Sequence, residues 1–78
     1  STYAVKLTRV YGTGSDQTAQ FLVRGKTQLA RVGAVFGATQ ELKLLSLQQN
    51  AKGVWIAVLQ VGDAEPFDAL AGQAYYVL

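Results

Sequence analysis

The stretch Gly25–Asn50 constrains the fold most, because a helical hydrophobic pattern is followed there by a strongly apolar run. Thr27 precedes the pattern, where a hydroxyl can accept a hydrogen bond from a free helix amide, and Gly37 follows it, where a left-handed cap costs least. The spacing therefore predicts a short amphipathic helix over Gln28–Phe36 that needs a sheet to lie on. Its apolar face is defined by residues at i, i+3 and i+7: Leu29, Val32 and Phe36.

Composition limits the chain to one small domain and excludes several kinds of chemistry. The chain has 78 residues and 50% apolar content, which suits a single core, because a chain of this size buries only about 60% of its unfolded surface. It contains no Cys or His, which excludes thiol and imidazole catalysis, disulfides and the usual zinc sites. The lack of disulfides favours a reducing compartment such as the cytoplasm.

The chain contains no apolar run of the ~20 residues that a membrane span requires, and no basic-then-apolar leader opens it. We therefore expect no membrane span.

Alternating apolar residues predict a hairpin before the helix. Residues 3–11 and 18–24 each alternate with the period of a half-buried strand, and a turn-forming segment rich in Gly, Ser and Asp separates them. A rival interpretation starts one long helix at Asp16 and runs it to Phe36, which gives a βαββαβ order. That helix would carry Gly25 and Gly33 in its interior, at about 1 kcal/mol each relative to Ala, so the hairpin is favoured.

The second half of the chain predicts two inner strands, a short helical turn and a closing strand. Leu42–Leu47 is nearly continuously apolar, and residues 54–59 are apolar on both faces, as in a strand covered on both sides or one whose outer face meets a partner. Pro66 suits the first turn of a short helix that carries Phe67 and Leu70 one turn apart. Tyr75–Leu78 then forms the last strand. We find no internal repeat in the sequence.

This order of elements resembles the ubiquitin-like β-grasp, an α+β fold with the order ββαββ, short helical turn, β. Leu29–Gly37 is similar to its central helix with a glycine exit. Gly62–Leu78 is similar to the closing segment of doublecortin-type, PB1 and CIDE-N interaction domains. The resemblance implies a single domain, residues 1–78, that binds proteins. The alternative ferredoxin-like βαββαβ order is that of SPOR or ACT modules, which bind glycan or a small ligand.

Charge is distributed unevenly along the chain. Residues 1–39 carry five basic residues against one acidic residue, a net +4, whereas residues 40–78 carry two against four, a net −2. Such clusters attract an oppositely charged partner. The candidate partner-binding residues are a basic set on the hairpin and an acidic set on the 63–68 turn: Lys6, Arg9, Arg24 and Lys26, and Asp63, Glu65 and Asp68. In PB1, CIDE-N and DIX domains such surfaces associate head-to-tail, and the resemblance implies the same here.

Other patterns support weaker hypotheses. Gly25-Lys26-Thr27 ends like a phosphate-binding loop, but Gln20 stands where the motif needs its first Gly, so a strand-to-helix turn is favoured. The acidic set resembles a calcium site only loosely, and a solvated turn is favoured over a metal site. Nucleic-acid binding through the basic hairpin, with Tyr3 or Tyr11 stacking on bases, is opposed by the acidic second half.

Bulky aromatic residues occur in the last third of the chain. Tyr75 and Tyr76 must point to opposite faces of the last strand, and Trp55 should lie on a nearby strand. A half-exposed Tyr at the rim of a sheet is the favoured interpretation for one of them.

The sequence as a whole predicts a non-enzymatic protein–protein interaction domain that associates with itself or a related domain. Ser and Thr are present, but the chain has no His or Cys that could activate or replace them as nucleophiles. The carboxylates do not form an evident catalytic pair. We expect no cofactor and no metal. The main alternative is the glycan- or small-ligand-binding βαββαβ module.

Overall fold

Eight strands follow one another along the chain and form two four-stranded antiparallel sheets. The computed structural model describes all residues, 1–78. The first sheet has the order β3-β2-β1-β8 and the second has the order β4-β5-β6-β7. A single 3₁₀ turn at Gly14–Asp16 is the one helical element. The strands are β1 (Tyr3–Tyr11), β2 (Thr18–Val23), β3 (Lys26–Ala30), β4 (Val35–Phe36), β5 (Leu42–Gln49), β6 (Trp55–Val61), β7 (Phe67–Leu70) and β8 (Ala74–Val77).

The predicted helix over Gln28–Phe36 is wrong. Arg24 and Gly25, with φ of 52° and 79°, form a two-residue hairpin turn that sends the chain back alongside β2 as β3. Both central residues of such a turn need positive φ, as in type I′. Gly33, with φ of 92°, then reverses the chain in a left-handed conformation that no helix interior allows. The helical spacing of Leu29 and Val32 was coincidental, since both side chains are exposed.

The α+β class, the ubiquitin-like β-grasp and the ferredoxin-like βαββαβ alternative are therefore all wrong. The rival helix from Asp16 is also wrong, because those residues form β2 and β3. The short helical turn after Pro66 is the strand β7, in which Phe67 and Ala69 pair with the inner residues of β6. Pro66 itself lies just before that strand, where no ladder hydrogen bond is required of it.

Several strand predictions are confirmed. The predicted hairpin of residues 3–11 and 18–24 corresponds to β1 paired with β2, from Val5 opposite Val23 to Tyr11 opposite Thr18. The two inner strands correspond to β5 and β6, which pair with each other along their whole length. The closing strand is β8, which pairs with β1. These segments were predictable because their alternation or continuous apolar character persists over several residues.

One hydrophobic core lies between the two sheets. Its buried residues come alternately from both inner faces: Val5, Leu7, Ala19, Phe21, Val23, Ala30, Phe36, Leu42, Leu44, Ala57, Leu59, Ala69 and Val77. The rings of Phe21 in the first sheet and Phe36 in the second stack with centroids 4.6 Å apart. The molecule is thus a small β-sandwich whose stability depends on burying both inner faces together.

The two halves of the chain repeat the same four-strand plan, which the sequence analysis missed. Strands β1–β3 form most of the first sheet and β5–β7 most of the second, while each half gives its fourth strand to the other sheet. Both long strands, β1 and β5, carry a register shift at the same place, after Leu7 and after Leu44. Gly33 donates its N–H to the Leu44 carbonyl, and Gly72 donates to the Leu7 carbonyl in the equivalent position.

This repeat defines which residues of the two halves are structurally equivalent. The ladders align Leu7 with Leu44, Phe21 with Leu59 and Ala30 with Ala69. Inner positions are apolar in both halves, as a shared core requires. Outer positions differ between the halves, and those differences mark the surfaces on which the halves have separate roles.

No helix in the structure has the length and apolar character needed to cross a bilayer.

Candidate functional site

The basic turn, Arg24–Lys26, connects β2 to β3 at one end of the sandwich. The Arg24 guanidinium lies over the Tyr3 ring, with Cζ 3.9 Å from the ring centroid. Such cation–π contacts hold a flexible charged side chain in place and contribute about 0.5–1 kcal/mol at exposed sites. Lys26 follows on the exposed edge strand β3. The turn therefore presents two cations, of which Arg24 is positioned by an aromatic ring.

The acidic turn, Gly62–Glu65, occupies the equivalent position between β6 and β7 in the second half. Gly62 donates its N–H to the Glu41 carbonyl at 2.9 Å, and Ala64 donates to the Val61 carbonyl at 3.0 Å. The Gln60 side chain donates to the Ala64 carbonyl at 3.0 Å. These bonds fix the backbone while Asp63 and Glu65 remain exposed, so the turn presents two carboxylates on a rigid support.

Tyr3 and Glu41 connect the two sheets between these turns. The Tyr3 hydroxyl donates to the Glu41 carboxylate Oε2, and Oε1 accepts from the backbone N–H and the hydroxyl of Thr39 at 3.1 and 3.0 Å. The Tyr3 hydrogen bond is the main cause that lowers the pKa of Glu41 to about 2. Burial, followed by the same bond, raises the pKa of Tyr3 to about 12.

A continuous chain of contacts therefore joins the basic turn to the acidic turn. It runs from Arg24 to Tyr3, from Tyr3 to the Glu41 side chain, and from the Glu41 backbone to Gly62. Both turns consequently lie at the same end of the sandwich. The sequence suggests separate basic and acidic regions, and it carries no signal that the fold places Arg24 and Asp63 at the same end of the sandwich.

The remaining candidate residues lie elsewhere. Lys6 and Arg9 point outward from β1, where they face away from the core, and Arg9 lies 4.5 Å from the Tyr11 ring centroid. Asp68 points outward from β7, in the second sheet. The structure thus brings together four of the seven predicted residues at one end, Arg24, Lys26, Asp63 and Glu65, and distributes the other three over the two outer faces.

The residues of the remaining sequence hypotheses lie in ordinary structural features. Gly25–Thr27 is a strand-to-strand turn rather than a strand-to-helix turn. The carboxylates of the acidic set do not converge into a group that could hold a metal ion. One open cleft of about 420 Å³ lies beside the 3₁₀ turn, where the side chains of Asp16 and Arg31 form an exposed ion pair at 3.8 Å. Its lining residues are Tyr11, Asp16, Thr18, Leu29, Ala30 and Arg31.

The aromatic residues near the end of the chain divide as predicted. Tyr75 packs against the core, and its hydroxyl accepts from the Leu70 N–H at 2.9 Å, whereas Tyr76 is 73% exposed on the opposite face of β8. The prediction that they point to opposite faces is confirmed. Trp55 also packs against the core.

The outer face of the second sheet was only partly anticipated. The prediction that residues 54–59 are apolar on both faces corresponds to β6, whose outer residues are Ile56 and Val58. These side chains are half-buried but do not belong to the residues that pack on the core.

No protein-family model, curated protein or solved structure matches this chain.

Proposed function

We propose that this protein is a non-enzymatic interaction domain that associates with a second copy, or with a related domain, through its charged end. The charged end consists of the basic turn Arg24–Lys26 and the acidic turn Gly62–Glu65. The observation that carries the proposal is the chain of contacts through Tyr3 and Glu41, which holds opposite charges on two rigid turns at the same end.

This placement favours a closed pair over an open head-to-tail row. A two-fold axis across the charged end brings the basic turn of each copy against the acidic turn of the other copy. Each copy then satisfies both of its charged turns in one contact. Each exposed ion pair contributes only about 0.2–1 kcal/mol, so the pair should be weak and should respond strongly to salt.

Charge reversal tests this proposal. Asp63→Lys combined with Glu65→Lys makes both turns basic, and Arg24→Glu combined with Lys26→Glu makes both turns acidic. Each double variant should remain monomeric by sedimentation velocity at low salt, because like charges then face each other. An equimolar mixture at close to millimolar concentration should form a one-to-one complex that dissociates as the Debye length falls to about 3 Å near 1 M salt.

The matched control is Lys52→Glu. Lys52 lies in the turn between β5 and β6, at the other end of the sandwich, and its reversal should leave association of the wild-type chain unchanged. A mixture that stays monomeric would refute the charged-end proposal. Growth of the mixture into long alternating assemblies would refute the closed geometry while retaining the charged contact.

A further inference from the structure

At two outer positions the first sheet is the apolar one, because Leu22 and Leu29 are equivalent to Gln60 and Asp68. At four other positions the outer face of the second sheet is apolar where that of the first sheet is polar. Four half-buried hydrophobic side chains point outward there and do not pack on the core: Leu45, Ile56, Val58 and Leu70. The equivalent residues of the first half are Thr8, Thr18, Gln20 and Arg31. Because both halves have the same fold, structure alone does not require apolar residues at these positions.

We propose that this face, termed the apolar face, packs against the same face of a second copy around a two-fold axis. This proposal is independent of the charged end, because Arg24, Lys26, Asp63 and Glu65 all lie on turns outside it. The four hydrophobic residues lie close to one another on the sheet. Ile56 lies directly opposite Leu70, Val58 lies on the same strand, and Leu45 occupies the bulge of the neighbouring strand β5.

The charges on the apolar face are also arranged for a two-fold contact. Two charged residues point outward from it, Lys43 on β5 and Asp68 on β7, and they lie on opposite sides of β6. Their charges cancel, and a two-fold axis running between them brings each Lys43 against the Asp68 of the other copy. The outer face of the first sheet instead carries Lys6 and Arg9 without an acidic residue, so a symmetric contact through that face would be repulsive.

Polar residues lie among and beside the hydrophobic ones. Ser46 and Gln48 lie opposite Val58 and Ile56, Gln60 follows Val58 along β6, and Val35 adds an exposed hydrophobic residue at the edge of the face. Protein–protein interfaces likewise mix apolar and polar area. With strands about 4.8 Å apart and residues about 3.3 Å apart along them, the face covers about 400 Å². This area is about half of the ~800 Å² that each partner buries in a standard interface, so we expect a weak dimer.

The test exchanges residues between equivalent positions of the two halves. Ile56→Thr combined with Val58→Gln introduces into the second sheet the residue types found at the equivalent positions of the first sheet, Thr18 and Gln20. The matched control is Leu22→Gln, because Leu22 is a half-buried outer residue of the first sheet and its equivalent is Gln60. Circular dichroism and thermal unfolding should show that both variants keep the fold.

Sedimentation equilibrium at millimolar concentration and 0.5 M NaCl should show reversible dimers of the wild-type chain, because apolar contacts persist where surface ion pairs are screened. Ile56→Thr with Val58→Gln should weaken the dimer at least tenfold, and Leu22→Gln should leave it unchanged. A wild-type chain that is monomeric under these conditions would overturn the proposal, and so would an equal loss in the Leu22→Gln control.

A charge exchange tests the two-fold geometry separately. In a background carrying Asp63→Lys and Glu65→Lys, which removes the charged-end contact, Asp68→Lys should weaken dimerisation at 0.15 M salt. Adding Lys43→Asp should restore it, because the exchanged charges again meet across the axis. Failure of this restoration would overturn the proposed orientation. The background variant also makes the outcome independent of whether the charged end associates.

Discussion

The hydrogen bond from Tyr3 to Glu41 gives a quantitative test of how the two sheets are connected. Tyr3→Phe keeps the ring, and with it the contact of Arg24, but removes the hydroxyl that donates to the Glu41 carboxylate. A hydrogen bond to a charged group contributes about 1.5–3 kcal/mol to stability. Glu41 is only partly buried, and its other oxygen keeps both bonds from Thr39. Water can therefore replace part of the lost interaction.

We expect Tyr3→Phe to lower the free energy of unfolding by about 1 kcal/mol at pH 7, which corresponds to a fall in Tm of about 4–8 °C. The folded-state pKa of Glu41, about 2, is lower than its ordinary value of 4.5. Its stabilising contribution is therefore complete above pH 4.5 and is lost as the pH falls through 2. The decrease in the free energy of unfolding caused by Tyr3→Phe should therefore become smaller as the pH falls over this range.

Urea unfolding at pH 7 and at pH 2 provides the measurement, and Tyr76→Phe provides the control. Tyr76 is 73% exposed, and its hydroxyl should contribute nothing measurable. An effect of Tyr3→Phe no larger than that of the control at pH 7, or one that is the same at both pH values, would show that this hydrogen bond does not stabilise the link between the sheets.

Three further predictions concern the stability of the sandwich. Gly37→Ala should lower the free energy of urea unfolding by about 1–2 kcal/mol, because a Cβ there would contact the Glu41 carboxylate and φ is 99°. Gly53→Ala should lower it by less, because its Cβ would meet no atom. Leu59→Ala should lower the free energy of unfolding by about 2–5 kcal/mol, because Leu59 is fully buried. Val58→Ala on the apolar face should lower it by under about 1 kcal/mol at concentrations where the chain is monomeric. Equal losses would contradict the assignment of the two faces. Peptides of residues 1–39 and 40–78 should each be unfolded by circular dichroism, because each gives its fourth strand to the sheet of the other; cooperative folding of either peptide alone would contradict this topology.

The sequence predicts the long strands of this fold and the short closing strand β8, and it misses β3, β4 and β7. β1, β2, β5 and β6 carry alternating or continuous apolar residues over six or more positions, a signal that is strong enough to identify them. β4 has two residues and β7 has four. Such short segments are defined by pairing with distant strands rather than by local pattern. Three apolar residues at helical spacing were therefore enough to suggest a helix across β3 and β4.

The repeat was hidden in the sequence for a related reason. Leu7 corresponds to Leu44, Phe21 to Leu59 and Ala30 to Ala69, so the spacing grows from 37 to 39 residues as the loops change length. Identical residues such as Leu7 and Leu44 are scattered, because the repeat preserves apolar character at most inner positions and leaves outer positions free to change. Only the paired register of the two sheets makes the equivalence visible.

The candidate surfaces were predictable to different degrees. The residue types of the charged turns were evident from their clustering, but their common location depends on the contact from Tyr3 to Glu41, which are 38 positions apart. The apolar character of β6 was evident as well. Its significance appears only in comparison with β2, the equivalent strand of the first half, where Thr18 and Gln20 stand at the positions of Ile56 and Val58.

The most direct test of both contacts is a dilution series of the wild-type chain at low salt and at 0.5 M NaCl, in which the backbone amide chemical shifts are measured at each concentration. Concentration-dependent shifts are expected in the turns at Arg24–Lys26 and Gly62–Glu65 at low salt only. Shifts around Ile56, Val58 and Leu70 are expected at both salt concentrations. Spectra that do not change with concentration, or changes confined to the outer face of the first sheet around Lys6 and Arg9, would contradict both proposed contacts.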